Sequence, residues 1–512
     1  MDYSKNNAAI SKHTIAIPSG YMRNIVVLTG LYILAAFGAR NQLLGLGLAI
    51  LEWAVLFSLA LQKQYFKSYC MLIAFIMTSF ETTTFTSEVV SDDATVYSIY
   101  SLPLVRSILC YAFIIFLCIA FRARYHADFK AKIRSFPEVR KVLNFFPVML
   151  ISGIITGLLV FIVNDNGVAT SGWYFTKYVE FTIKIITLMS LIYSAALICI
   201  GDPEKRRQLE KFCEQLIICA ALATTITLII GLRGYYGSKG TLIFMPLATS
   251  IAAALILFCG FKRANRLVYF LIGAIFSFEI MFVAGSHMGS KFYLVPAASF
   301  IILVLKGMRN GKLGSFAGFI FILFIVIAGS GLTITSTYIG TYNNWKLNQL
   351  LQLFEFRGNT LASWYFQLPN SPRIRVDEFM STLYEYIQKP WYLLFGKGTA
   401  GTITHLWGNT IWTIKGSGAF SDYEIDSGIF MFMHESLNVL FIRHGLLGLS
   451  FFVSVIIMLV KKMLKSPWAL IALIWFVFYW GTYRSWWIGA IALILALTPG
   501  AIDTGDDEKE YR

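Results

Sequence analysis

Charge is scarce in this chain. Only 14% of its 512 residues are charged, where a soluble chain carries nearer a quarter, and hydrophobic residues make up 57%. Mean hydropathy is +0.65. A string of soluble domains is therefore excluded. Acidic residues are the rarer sign, 28 against 43 Lys and Arg, for a net charge of +15. The positives form short clusters between apolar runs rather than one patch, which argues against nucleic-acid binding and for loops joining membrane spans. The seven cysteines (Cys70, Cys110, Cys118, Cys199, Cys213, Cys219 and Cys259) lie in or beside apolar runs, with no CxxC spacing. A disulfide framework and a cysteine metal site are excluded with them. No fixed-period repeat, nucleotide-binding glycine loop or metal-ligand cluster is present, and no cofactor is expected. The one biased segment is the acidic tail GDDEKEYR.

What is abundant is apolar length. A run near 20 residues crosses the hydrocarbon as a helix. About fourteen occur, at 24–39, 42–61, 68–82, 104–121, 142–163, 179–200, 213–231, 241–260, 266–284, 291–306, 315–335, 435–460, 467–482 and 485–500. The expected fold is an all-α, polytopic membrane bundle. The first run, with no small-residue cleavage site after it, reads as an uncleaved span. Connections 62–67, 122–141, 201–212, 261–266, 306–314 and 461–466, with the two termini, hold most of the Lys and Arg. That bias places both termini in the cytoplasm. The chain divides into a membrane bundle at 1–335, a long external loop at 336–433, three further spans at 434–500 and the cytoplasmic tail at 501–512.

A loop of that length is too long for a simple connection and is usually functional. Residues 344–367 and 376–388 have helical apolar spacing, separated by Leu-Pro-Asn-Ser-Pro at 368–372. Pro390 ends the second helix, Gly396 and Gly398 turn the chain, and 399–428 reads as irregular. The helices suit the membrane surface over the bundle; the plainer reading is a cap that only covers the spans. Arg373 and Arg375 stand before a helix whose first turn carries Asp377 and Glu378, which favours a site.

His434 opens HESLNVLFIRHGLLG at the outer end of the twelfth span. On an α-helix His434, Asn438, Phe441 and Gly445 form one stripe, with Gly445 about 16 Å deeper. Gly445 would let a neighbouring helix approach. The helix dipole disfavours imidazolium at His434, so the ring is expected to be neutral and able to accept a hydroxyl proton. Asn438 is placed to orient the ring and Glu435 is not. The alternative is an interfacial histidine with no chemistry. A phosphate-bearing substrate needs cations. The external side offers Arg233, Lys239, His287, Lys291, Arg357, Arg373 and Arg375, each of which could instead anchor to the interface. Within spans, Glu52, Lys184, Glu279 and Arg443 must face the interior or pair; Arg443 lies off the His434 stripe.

These residues resemble the O-antigen ligase and polymerase superfamily of bacterial envelope biosynthesis. The family's His followed, after ten intervening residues, by Gly fits His434 and Gly445. Its Arg ahead of a Pro-x-x-x-Gly-x-Gly-like turn fits Arg375 and Pro390 to Gly398, with the spacing before the first glycine stretched. Its Arg with Leu four positions on is literal at Arg357–Leu361 and approximate at Arg375–Phe379; distance to the turn favours Arg375. The resemblance covers about 280–450 by motif and the rest by topology. The chain departs from the family at AGSHMGSKF, where Lys291 stands for an Arg, and at Arg443, where members often carry an acid.

The resemblance implies a metal-independent membrane glycosyltransferase of the inner membrane, working on the periplasmic side. Its donor would be a glycan on undecaprenyl diphosphate. His434 would be the base; Arg375, Arg373, Arg357, Lys291 and Arg233 would hold the diphosphate, with Asn438, Gly445 and His287 supporting. Implied partners are the lipid-linked glycan and membrane lipid, with room for a chain-length regulator and a flippase. Length and span number favour a polymerase over a ligase to lipid A–core; a protein glycosyltransferase is a third enzyme option. A transporter of the lipid-linked unit is the rival from another class, and the internal repeats typical of transporters are not visible.

Overall fold

A computed structural model describes residues 19–38, 41–77, 99, 102, 106–170, 172–230, 234–236, 240–242, 360–368, 370–407, 420–480 and 487–498. Almost all of these residues are helical. The first helices are α1 (Ser19–Gly38), α2 (Gln42–Leu61), α3 (Tyr65–Met77), α4 (Arg106–Lys132), α5 (Pro137–Ile162), α6 (Gly172–Gly201) and α7 (Pro203–Ile229). A three-residue strand pair, β1 (Gly234–Tyr236) and β2 (Gly240–Leu242), follows. Further on come α8 (Leu361–Gln367), α9 (Asn370–Gln388), α10 (Asp422–Ser427), α11 (Ser436–Lys462), α12 (Pro467–Tyr479) and α13 (Trp487–Leu497).

Among the described residues six helices are long and apolar enough to cross a membrane: those within α1, α2, α4, α5, α6 and α11. The segments of α3, α12 and α13 are apolar but shorter. Every expected apolar run that falls on described residues coincides with a helix. The runs at 266–284, 291–306 and 315–335 lie outside them, and so does that at 241–260 apart from its first two residues, which belong to β2. Several helices outlast their apolar runs. α4 continues to Lys132, because Phe121, Tyr125 and Phe129 keep one face buried at helical spacing while the other carries charge.

α6 is the most enclosed of these six long helices. Of its apolar window 78% is buried, against 28% for α5. α4 and α13 pack on α6, α1 on α7, and α11 on α5 and α12. The outer face of α5 shows Val148, Ile151, Ile155, Leu158 and Ile162 to its surroundings, a stripe that would be costly in water and that hydrocarbon accommodates.

The basic connections gather at one end. Lys132 Nζ donates to the Gly201 carbonyl at 3.2 Å, Lys462 pairs with Glu138 at 2.7 Å, and the Lys205 ammonium lies 4.8 Å from the centre of the Phe66 ring. Arg206 donates through Nε to the Thr498 carbonyl at 2.9 Å, and Glu210 accepts from Trp468 Nε1 at 2.9 Å. The loop joining α5 to α6 and residues 385–403 meet at the opposite end.

The constraint that organises this second end is a break in α11. Gly445 has φ 57° and ψ −140°, so the helix stops and restarts there. The gap is filled by the strap that follows α9, not by a neighbouring helix as the sequence suggested. Leu446 and Leu447 donate backbone N–H to the carbonyls of Leu393 and Leu394 at 2.8 and 3.1 Å. In return Lys397 N–H donates to Ile442 O at 2.9 Å and Gly398 N–H to Arg443 O at 3.1 Å. Tyr386 Oη, from α9, donates to the Phe441 and Ile442 carbonyls, both at 2.8 Å. Carbonyls and amides released by the break are thereby satisfied without water, as a membrane interior demands.

Close approach explains the glycines. Gly396 and Gly398 have φ of +72° and +85°. A Cβ on Gly445 would lie 2.3 Å from Leu393 O, and one on Gly398 would lie 2.2 Å from the Gly157 nitrogen of α5. Thr399 continues the seam, its N–H donating to Gly153 O at 3.1 Å and its hydroxyl 3.0 Å from that of Thr182 on α6.

We therefore expect Gly445→Ala and Gly398→Ala each to cost more than about 3 kcal/mol, combining left-handed strain with backbone overlap. Gly428→Ala is the control: its φ is +65° but a Cβ would meet nothing within 4 Å. It should cost only about 1–2 kcal/mol. Thermal melts of purified protein in detergent check the contrast, and equal losses at all three positions would contradict it.

Candidate active site

Three devices deliver His434 to the mouth of α11. Phe430 and Ile403 form an antiparallel bridge, with N–H to O distances of 2.8 and 3.0 Å. The buried Glu424 carboxylate, capped on α10 by Ser421, accepts from the N–H groups of Met431 at 2.8 Å and Phe432 at 3.0 Å. Glu378 of α9 then accepts the N–H of His434 at 3.1 Å and contacts the ring through Nδ1. The His434 side chain is 13% exposed and that of Glu378 is fully buried. Phe420 stands edge-on to the imidazole with ring centres 5.7 Å apart.

A carboxylate only accepts, so Nδ1 carries the proton in this contact and Nε2 is the basic nitrogen of the neutral ring. The ring's partner is thus a buried carboxylate from another helix, in addition to the helix end that follows it. Asn438 does not orient the ring itself. Its amide donates to Glu378 Oε2 at 2.8 Å and to the Arg375 carbonyl at 2.9 Å, so it positions Glu378. Glu435 is indeed turned away, since Arg375 Nε donates to it at 2.6 Å. His434 itself lies just outside the helix, which begins at Ser436.

Arg373 and Arg375 sit within α9, not ahead of it, because the helix starts at Asn370 with Pro372 tolerated in its first turn. The Arg373 guanidinium lies 5.2 Å from the Tyr365 ring centre and 5.6 Å from that of Phe366, and Tyr365 is hydrogen-bonded to Asp377. His434, Asn438, Arg375, Glu378 and Glu435 thus form one connected group, with Arg373 a short way along α9. Arg233, His287, Lys291 and Arg357 lie outside the described residues, as do Lys239 and Glu279. Arg443 is buried over Phe181, 4.4 Å from the ring centre, and Lys184 pairs with Glu180. Both fulfil the expectation that charges within spans face the interior. Among the described residues no group of three or more His, Cys, Asp and Glu could hold a metal.

Sequence reasoning missed a second polar group. Lys397, between the two left-handed glycines, is wholly buried and pairs with Asp165 at 2.7 Å and Glu385 at 2.8 Å. Lys389 binds the same two acids at 2.5 and 2.9 Å, and its Nζ also donates to Asn166 Oδ1 at 3.0 Å. This cluster ties the strap to the α5–α6 loop. The available signal was a lysine set between two glycines, opposite an Asp-Asn-Gly turn. Burial by itself would raise the carboxyls of Asp165 and Glu385. Lys397 first, then Lys389, overcomes it and holds both below their usual range.

No family model matches the chain, and no curated protein matches it in sequence.

Depressed acids contribute stability that is fully present above the ordinary carboxylate range and fades as pH falls through it. Acid melts should therefore lose stability below about pH 4. Lys397→Met leaves two acids with one cation fewer, and we expect a loss of about 3–5 kcal/mol at neutral pH. The variant's remaining pH dependence below that point should be shallower than the wild type's, and an unchanged acid profile would show that the cluster does not carry it.

Proposed function

We propose that this protein is a glycosyltransferase of the bacterial inner membrane, a polymerase of a surface polysaccharide such as O-antigen. It would transfer a glycan from undecaprenyl diphosphate to a hydroxyl of a lipid-linked repeat unit. In this reading about fourteen spans hold both termini in the cytoplasm, and 336–433 forms the periplasmic loop over the site. The observation that carries it is the Glu378–His434 pair at the mouth of α11, with Arg375 and Arg373 on the helix that supplies the glutamate.

His434 Nε2 takes the proton of the acceptor hydroxyl as its oxygen bonds to the anomeric carbon of the donor sugar. The bond from that carbon to the phosphate oxygen breaks, and undecaprenyl diphosphate leaves with the electron pair. Glu378 holds Nδ1–H, fixes the tautomer and steadies the imidazolium that forms, as an orienting acid does for other histidine bases. Cations offset the charge growing on the diphosphate. Arg375 brings one edge of its guanidinium already engaged by Glu435, which fixes its position at the cost of some reach. Arg357, Lys291 and Arg233 would complete the cradle, supported by His287. Gly445 takes part indirectly, by setting the break that α9 and the strap close.

A ligase to lipid A–core, or a protein glycosyltransferase, would use the same residues on another acceptor. A flippase would need neither a base nor an orienting acid. In a deletion strain, His434→Ala expressed in place of the wild type should leave single repeats on core with no long chains. Loss of all glycan from core would indicate a ligase, and lipid-linked units confined to the cytoplasmic leaflet would indicate transport. Glu378→Gln keeps the shape and removes the charge, and should slow transfer by about 10²–10⁴-fold. Arg375→Lys should weaken donor use more than acceptor use, and equal use of both would take it out of the donor site.

A further inference from the structure

The basic end carries a cleft that the proposed chemistry does not use. It has a volume of about 470 Å³ and lies between the start of α5 and the middle of α11. Arg134, Arg140 and Lys141 line it at the start of α5 (its mouth), Asn144 stands about a turn further on, and Val148 and Leu447 line it farther along α5 (its inner part). Arg134, Arg140 and Lys141 are exposed, and among the described residues none of them pairs with an acid. Glu138, the acid nearest in sequence, is engaged by Lys462 at 2.7 Å. The start of α5, with Pro137 as its first residue, adds the positive end of a helix dipole.

The cleft runs along α5. From Pro137 to Val148 is about 16 Å of helix rise. Its inner wall meets the exposed stripe Val148, Ile151, Ile155, and Leu447 lies two residues past the break at Gly445. Cations at one end, a carboxamide next and aliphatic side chains opening toward hydrocarbon match a molecule with an anionic head and an acyl tail. A soluble phosphate would use the mouth and leave the apolar part in contact with water.

We propose that this cleft binds an anionic phospholipid of the leaflet at the basic end, with the phosphate on Arg134, Arg140 and Lys141 and one acyl chain against Val148 and Leu447. The lipid then packs beside the restart of α11, on the side away from His434, and so braces the broken helix. This site is independent of the glycosyltransferase reading.

The test uses the full chain purified in detergent. Native mass spectrometry would follow retained lipid as phosphatidylglycerol or phosphatidylcholine with identical acyl chains is added, and melting would be recorded in parallel. The wild type should hold phosphatidylglycerol in preference and melt at a higher temperature with it. The triple variant Arg134→Gln, Arg140→Gln, Lys141→Gln should lose on the order of 100-fold in affinity, about fivefold for each cation removed. These side chains are exposed, so folding should survive, and an unchanged melting temperature without lipid would confirm that it does. Val148→Trp fills the inner part while sparing the charges, and should weaken phosphatidylglycerol without affecting inorganic phosphate. Equal retention of both lipids, or phosphatidylglycerol binding unaltered in the triple variant, would overturn the proposal. So would complete displacement of the lipid by millimolar inorganic phosphate, which would assign the cleft to a soluble anion.

Discussion

Hydrocarbon offers a peptide group no hydrogen-bond partner, so a helix interrupted inside a bundle needs protein to complete it. Gly445 interrupts α11, and much of the architecture at the far end of the bundle serves to satisfy that break. The strap 390–403 supplies donors and acceptors, the glycines of the strap and of α5 provide the clearance, and Tyr386 covers the remaining carbonyls. The Lys397 cluster then fixes the strap at the level of the α5–α6 loop. Remove the break and neither the strap nor its buried lysine has a reason to be where it is.

The candidate site depends on the same pieces. α9 reaches the break with Tyr386 near its C-terminal end and reaches His434 with Glu378 at its middle. Eight residues separate them, so a shift of α9 along the break displaces the carboxylate from the imidazole. α11 makes the reciprocal connection, since Asn438 holds Glu378 while Ile442 and Arg443 receive the strap. The histidine's geometry is therefore set by backbone hydrogen bonds formed well below it, and residues 370–403 act as a structural member of the bundle.

Much of this was legible in the sequence, for identifiable reasons. Apolar runs gave the helices because solvation by hydrocarbon depends on local composition, and their errors fall where amphipathic turns extend a helix past the apolar stretch, as in α4. The left-handed turns at Gly396 and Gly398 were readable because glycine tolerates that backbone. His434 stood out as a titratable group at a span end. Glu378 was noticed only as a first-turn acid, since its pairing with His434 spans 56 residues and no local pattern reports it. Asn438 was assigned to the wrong neighbour because helical spacing fixes a face and does not show what another helix brings to it. The break at Gly445 was read as close helix packing, because a glycine inside an apolar run looks the same in either role.

One consequence concerns how the chain enters the membrane. α11 carries Arg443 and His444 side by side about a third of the way along it, both buried in the finished protein. An arginine at the centre of an inserting segment costs about 2.5–3.5 kcal/mol, and one a third of the way in costs part of that. Phe181 offers that guanidinium the face of its ring only after α6 is in place. The order of synthesis meets this requirement, because α6 emerges from the ribosome before α11 does. A circularly permuted chain that began at α11 would present the translocon with an incomplete rod, and its first span should be the one most often left outside the bilayer.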